Sequence, residues 1–162
     1  MRTNNAKVKN TIISIYFILV VLAGVLVTLY RNIIEIYPGL TITIFGIVGV
    51  FAILLVITHH VSKYFEYDSD GIKIVVINRG LLISEYLNYR EHRVEFKKKD
   101  LLGYRFYNYI FFKTLILTIR DNRGEKNREH FNVTLVSRRK RKYIRQSLSK
   151  IIKQNRKTNK RA

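Results

Sequence analysis

The chain has no cysteine, and only 11 of its 162 residues are acidic. Without cysteine a disulfide scaffold is excluded, which agrees with a reducing compartment. The sequence also lacks a G-x-S-x-G nucleophile elbow, a phosphate-binding Walker loop and a dinucleotide fingerprint, the patterns that most often mark an enzyme in one sequence. The few acids face 30 Lys and Arg, a formal charge of +19, yet 48% of residues are hydrophobic, which excludes disorder throughout. The charge is unevenly spread. Residues 1–62 hold four basic and one acidic side chain, while residues 63–162 hold 26 and 10.

The apolar residues gather in two blocks. Thr11–Tyr30 runs 20 residues without a charge, and Ile36–Ser62 runs further, densest between Leu40 and Thr58. About 20 helical residues span a bilayer core of ~30 Å. A cleaved signal peptide is disfavoured for the first block, because it exceeds a usual apolar region and no small-x-small site precedes Tyr30. The expected layout is a cytoplasmic arm (1–10), a first transmembrane helix (11–30), a short external loop (31–39) and a second transmembrane helix (40–61). Basic residues flank the outer ends of this hairpin (Arg2, Lys7 and Lys9 before it, Lys63, Lys73 and Arg79 after it). That bias places both termini in the cytoplasm. Tyr30 and Tyr37 are expected at the outer aromatic belt, and Tyr64, Phe65 and Tyr67 at the inner one. Gly24, Gly46 and Gly49 would allow close approach of the two helices.

From Lys63 the pattern changes to short β runs. Tyr64–Tyr67, Ile72–Ile77, Leu81–Tyr89, Val94–Phe96, Tyr104–Tyr109, Phe111–Arg120 and His130–Val136 read as strands. Turn strings separate them at Asp68–Gly71, Asn78–Gly80 and Asp121–Gly124. Ser137 reads as an N-cap, and Ile144, Leu148, Ile151 and Ile152 form one stripe of a helix over about 138–154, with a basic tail at 155–162. The expected fold class is therefore α+β, with a transmembrane hairpin ahead of an antiparallel β domain at 63–154.

Short antiparallel strands closed by one amphipathic helix resemble a pleckstrin-homology-like (PH-like) β-barrel or sandwich. Preceded by a helical hairpin, the chain is similar to small bacterial inner-membrane proteins that carry such a domain in the cytoplasm. The resemblance rests on the hairpin at 11–62, the Asp68–Ile72 entry, the strand-rich middle and the helix from Ser137. It implies a non-enzymatic interaction module. Phosphoinositide binding by PH domains uses basic residues in an early strand loop, but here that loop is Asp68–Gly71 or Asn78–Gly80, so no binding residues carry over.

No catalytic, metal or cofactor site is expected. His59 and His60 are adjacent and point to different sides of a helix. His92 and His130 stand in polar contexts. Asp68–Gly71 begins like a calcium loop but has Ile77 where the closing Glu belongs. Glu91 and Glu95, which would share a helix face, and Glu66 and Asp68, on a strand, read as surface ion-pairing groups. The strongest signal is the tract from Arg138 to Ala162, with 12 Lys or Arg and no acid. Arg138, Arg139, Lys140, Arg141, Lys142 and Arg145 are the expected contacts for anionic lipid headgroups, with Lys97, Lys98 and Lys99 as a second patch. Each cation near an anionic leaflet gains roughly 1 kcal/mol, fading over ~8 Å. A membrane-tethered nucleic-acid binder is the alternative, since it uses the same counterion physics. A basic helix that only sets topology is a third reading. The β domain would bind a protein partner or a second copy.

Overall fold

A computed structural model describes residues 1–34, 41–80, 91–121 and 123–159, with the backbone alone for residues 31–34, 41 and 159. The chain divides into two compact units, Lys7–His60 and a lobe built from Met1–Ala6 with Val61–Ala162.

Among the described residues the first unit holds two α-helices, α1 (Lys9–Ile34) and α2 (Thr41–Val61), with a 3-10 turn at Ala6–Val8 leading into α1. Arg31–Ile34, expected in the connecting loop, continue α1. Large apolar side chains point outward on every side, among them Phe17, Val27, Ile42, Phe45 and Val56. Only 6% of the most apolar stretch of α1 is buried, and none of α2. The core helix of a water-soluble fold is mostly buried, whereas these two are apolar all round and covered by almost nothing. Both are long and apolar enough to cross a membrane. The glycines do not bring them together, because a Cβ at Gly24, Gly46 or Gly49 would meet nothing within 4 Å. Ala23, Leu26, Val27, Ile44, Val48 and Phe51 are among the apolar side chains lining a cleft in this unit.

Among the described residues the lobe contains two antiparallel sheets and one α-helix. The first sheet has the order β1 (Arg2–Asn4), β2 (Lys63–Asp68), β3 (Lys73–Gly80), β4 (His92–Lys97). The second is β5 (Leu101–Asn108), β6 (Lys113–Arg120), β7 (Lys126–Asn132), and α3 (Arg138–Asn159) follows. Alternation drives the strands inward on one face: Phe65 and Tyr67 from β2, Ile74 and Val76 from β3, Leu115, Leu117 and Ile119 from β6. Phe131, Val133 and Val136 join them, and the α3 stripe of Ile144, Leu148 and Ile151 completes one core cluster. Each such side chain contributes about 1.5–3 kcal/mol on leaving water.

Several expectations change here. Phe65 and Tyr67 are fully buried and so belong to this core rather than to an aromatic belt. The polar arm at 1–10 supplies β1, which pairs with β2 in the register Arg2↔Asp68, Thr3↔Tyr67, Asn4↔Glu66. Asn5 extends this pairing through its side chain. Its Nδ2 donates to the Lys63 carbonyl at 3.0 Å, and its Oδ1 accepts the Phe65 N–H at 2.8 Å. Asn78–Gly80 are the end of β3 and make no turn. The Asn78 amide donates to the carbonyls of Tyr64 and Asn132, both at 3.0 Å, and accepts the Asn132 N–H, joining the two sheets. The strand expected at His130–Val136 starts earlier, at Lys126, and ends at Asn132. There the Asn132 side chain accepts from the Thr134 N–H and hydroxyl and turns the chain toward α3. Glu91 precedes β4 and Glu95 lies within it, on no helix, and Glu95 pairs with Lys73 across the strands at 2.7 Å. The strand expected at Leu81–Tyr89 and most of the loop at 31–39 lie outside the described residues.

The turn at Asp68–Gly71 forms as expected, with Gly71 at a φ of 71°, a region that only glycine enters at little cost. Among the described residues no buried side-chain polar atom lacks a hydrogen-bond partner.

Candidate functional site

The tract that opens α3 folds into a helix because Ser137 caps it. The Ser137 carbonyl accepts the Arg141 N–H at 3.0 Å, and its hydroxyl accepts the Lys140 N–H at 3.4 Å. With the apolar stripe turned to the sheets, Arg138, Arg141, Lys142 and Arg145 fall at i, i+3, i+4 and i+7 and share the adjoining face. Facing them from the second sheet are Phe106 and Asn108 at the end of β5 and Lys113 at the start of β6. Together with Gln146 these residues line an open groove of ≈ 580 Å³. Five of its eight lining residues are cationic and none is acidic.

Hydrogen bonds to the backbone fix the groove walls. The Lys113 N–H donates to the Thr134 hydroxyl at 2.9 Å, and its carbonyl accepts the Val133 N–H at 2.8 Å. This holds β6 against the turn that launches α3. Arg141 reaches back to donate to the Val136 carbonyl at 2.7 Å. The Arg145 guanidinium lies over the Phe106 ring, 5.2 Å from its centroid. Burial, and then the neighbouring charges of Arg138 and Arg145, press the Arg141 guanidinium below its ordinary range. Independently of that shift, five cations around one opening concentrate positive potential there, which suits a polyanionic ligand.

The structure divides the expected contact residues into three groups. Arg138, Arg141, Lys142 and Arg145 line the groove. Arg139 and Lys140 do not. The first donates to the Tyr143 hydroxyl at 2.9 Å, and the second donates to the Asn4 carbonyl at 2.5 Å and so braces β1. Lys97 ends β4, while Lys98 and Lys99 lie in a 3-10 turn (Lys98–Asp100) near the other end of α3, where Asn155 donates to the Lys98 and Leu101 carbonyls at 2.8 and 3.0 Å. From Arg145 to Asn155 the helix rises about 15 Å, so the two basic patches are separate. α3 runs on to Asn159 rather than stopping near residue 154, and Asn155 in the added stretch is tied to the 3-10 turn by those bonds. Phe106, Asn108 and Lys113 were missed because they come from strands distant in sequence. The i, i+3, i+4, i+7 spacing of the four helix cations was a readable sign of the groove.

A second polar cluster lies where β1 meets β2. Arg2 Nε and the Tyr64 hydroxyl each donate to Glu66 at 2.7 Å, and Arg79 stacks on the Tyr64 ring at 4.8 Å. Burial, reinforced by the bond to Glu66, pushes the Tyr64 phenol up to about 12. Burial also acts to raise the Glu66 carboxyl, but the bonds from Tyr64 and Arg2 outweigh it and hold it below its ordinary value. The bonds of this cluster tie Arg2 of β1 to Glu66 of β2. Among the described residues no three His, Asp or Glu side chains converge on a possible metal position. No known protein family, no curated protein and no solved structure matches the chain.

Proposed function

We propose that the chain is a non-catalytic, membrane-anchored interaction module. In this reading α1 and α2 span the cytoplasmic membrane of a bacterium with both termini inside. The lobe is a PH-like domain whose basic C-terminal helix contacts anionic headgroups, and its β sheets bind a protein partner or a second copy. The observation that carries the proposal is the groove between α3 and the β5–β6 hairpin, where Lys113, Arg138, Arg141, Lys142 and Arg145 face one opening with no carboxylate among them. Ser62 alone separates α2 from β2, so a lobe on this tether stays within reach of the surface potential of an anionic leaflet. Two features support a hairpin with both ends on one side. The basic residues flank its outer ends, and β1, ahead of α1, pairs with β2, just after α2.

The absence of cysteine makes the test direct. Gln146→Cys places a single spin label on the groove wall of the full chain, reconstituted in nanodiscs. Its accessibility to a neutral water-soluble relaxant is expected to fall when phosphatidylcholine is replaced by an equimolar mixture with phosphatidylglycerol, and to recover at high salt. Equal accessibility in both discs would overturn the lipid assignment. Protection of the label by an oligonucleotide in neutral discs, with a steep salt dependence, would establish a nucleic-acid site instead.

A further inference from the structure

The β5–β6 hairpin that forms one wall of the groove ends in four consecutive apolar or aromatic residues, Tyr109-Ile110-Phe111-Phe112. Hairpin tips in water are ordinarily polar. Here Ile110 is 93% exposed and Phe111 65%, and Tyr109 and Phe112 are about half exposed. The tip is ordered internally. The Tyr109 N–H donates to the Phe112 carbonyl at 2.9 Å, their rings stack with centroids 4.5 Å apart, and the Tyr107 ring stacks on Tyr109 with centroids 6.2 Å apart. Asn108 and Lys113, the last cross-strand pair before the tip, are both groove-lining residues. The apolar tip and the cationic groove are therefore one continuous surface, apolar at its end and positive at its shoulder.

We propose that this tip is a membrane-insertion element, seating Ile110 and Phe111 below the headgroups of an anionic bilayer while Lys113 and the α3 cations hold the phosphates at its rim. The inference rests on the lipid reading of the groove and extends it from charge attraction to insertion. Tyr rings favour the depth at which hydrocarbon gives way to headgroups, and Phe and aliphatic side chains the acyl boundary just below it. An apolar surface bordered by cations is the chemistry of interfacial binding, in which apolar burial and attraction to anionic lipid act together. A protein partner for so small a tip would need a matching apolar pocket ringed by acids. A bilayer supplies both components everywhere, and the charge beside the tip complements it.

The chain has no tryptophan, so Phe111→Trp in the full chain gives one emission to follow. In phosphatidylcholine–phosphatidylglycerol vesicles its spectrum is expected to shift to the blue and lose intensity when the lipids carry bromine near the headgroup end of their chains. Both effects are expected to disappear in phosphatidylcholine alone, and after Ile110→Asp, a change at an exposed position that leaves the core untouched. Replacing Arg138, Arg141, Lys142 and Arg145 together by Gln should remove them as well. Red, unquenched emission while the Gln146 label is protected would overturn insertion and leave the headgroup reading standing. If neither reporter responds to anionic lipid, both readings fall. A blue shift without bromine quenching would mean that protein covers the tip, a second copy included, and would overturn the proposal. Equal quenching in neutral vesicles would overturn the joint role of tip and groove.

Discussion

Asn5→Ala tests whether β1 is a working part of the lobe. Asn5 is 2% exposed, and its side chain makes two bonds to the β2 backbone, accepting from the Phe65 N–H and donating to the Lys63 carbonyl. Alanine removes both and leaves a buried donor and acceptor on β2. An unsatisfied buried group costs about 1–3 kcal/mol. Partial access of water to the vacated space places the sum near 2–4 kcal/mol rather than at the upper limit. That loss falls on a three-residue strand held otherwise by its own ladder and by Arg2, Lys140 and the contact of the Met1 ammonium with Asp70. Amide exchange of the full chain in nanodiscs reads it residue by residue. The Ser69 N–H, which donates to the Met1 carbonyl at the far end of β1, is the reporter, and the Val133 N–H on the Lys113 carbonyl is the control. At tenfold per 1.4 kcal/mol, Ser69 exchange should accelerate by roughly 30-fold to several hundred-fold, with Val133 unchanged. Acceleration of Ser69 below about threefold would refute the reasoning, because it would place the free energy of holding β1 elsewhere than in the Asn5 clamp.

Two further outcomes follow from the core and from the Glu66 cluster. Leu148 is fully buried under the sheets, so Leu148→Ala should destabilise the lobe by about 2–5 kcal/mol, seen as a lower denaturant midpoint at unchanged slope, while Leu148→Asp should prevent its folding. The Glu66 carboxyl is held below its ordinary 4.5 in the folded chain, so its contribution is present above that value and is lost as pH falls through the depressed folded value. Glu66→Gln should flatten the acid limb of a plot of melting temperature against pH, and an unchanged acid slope in the variant would contradict the assignment.

What the sequence disclosed tracks where one physical signal dominated. Uniform apolarity marked α1 and α2, and the 3.6-residue period marked the buried stripe of α3. The pattern of β-favouring runs between turn strings found β2, β3 and β6. It failed where polar residues are held by partners remote in the chain. Arg2–Asn4 carry no apolar pattern and become a strand only because β2 offers an open edge. Asn78-Arg79-Gly80 has turn composition but extends β3, because the Asn78 amide bonds into both sheets. Lys126–Glu129 are fully polar, and pairing with β6 makes them strand. The same limit applied at the site. The helix cations were legible, whereas Lys113 acquires meaning only when the hairpin sets it beside α3, and the Tyr109–Phe112 tip only once its exposure is known.

The pairing of β1 with β2 also bears on the order of assembly. Asn5 bonds to Phe65 across a sequence separation of 60 residues, and most of the intervening chain is α1 and α2. A ribosome delivers β1 first, yet its partner strand emerges only after both apolar helices have been made. The first sheet therefore cannot be completed until the hairpin has left the tunnel, and long-range closures of this kind form late. β1 is thus made before the two helices and paired only after them, and until β2 is present the first sheet has no partner for its edge strand.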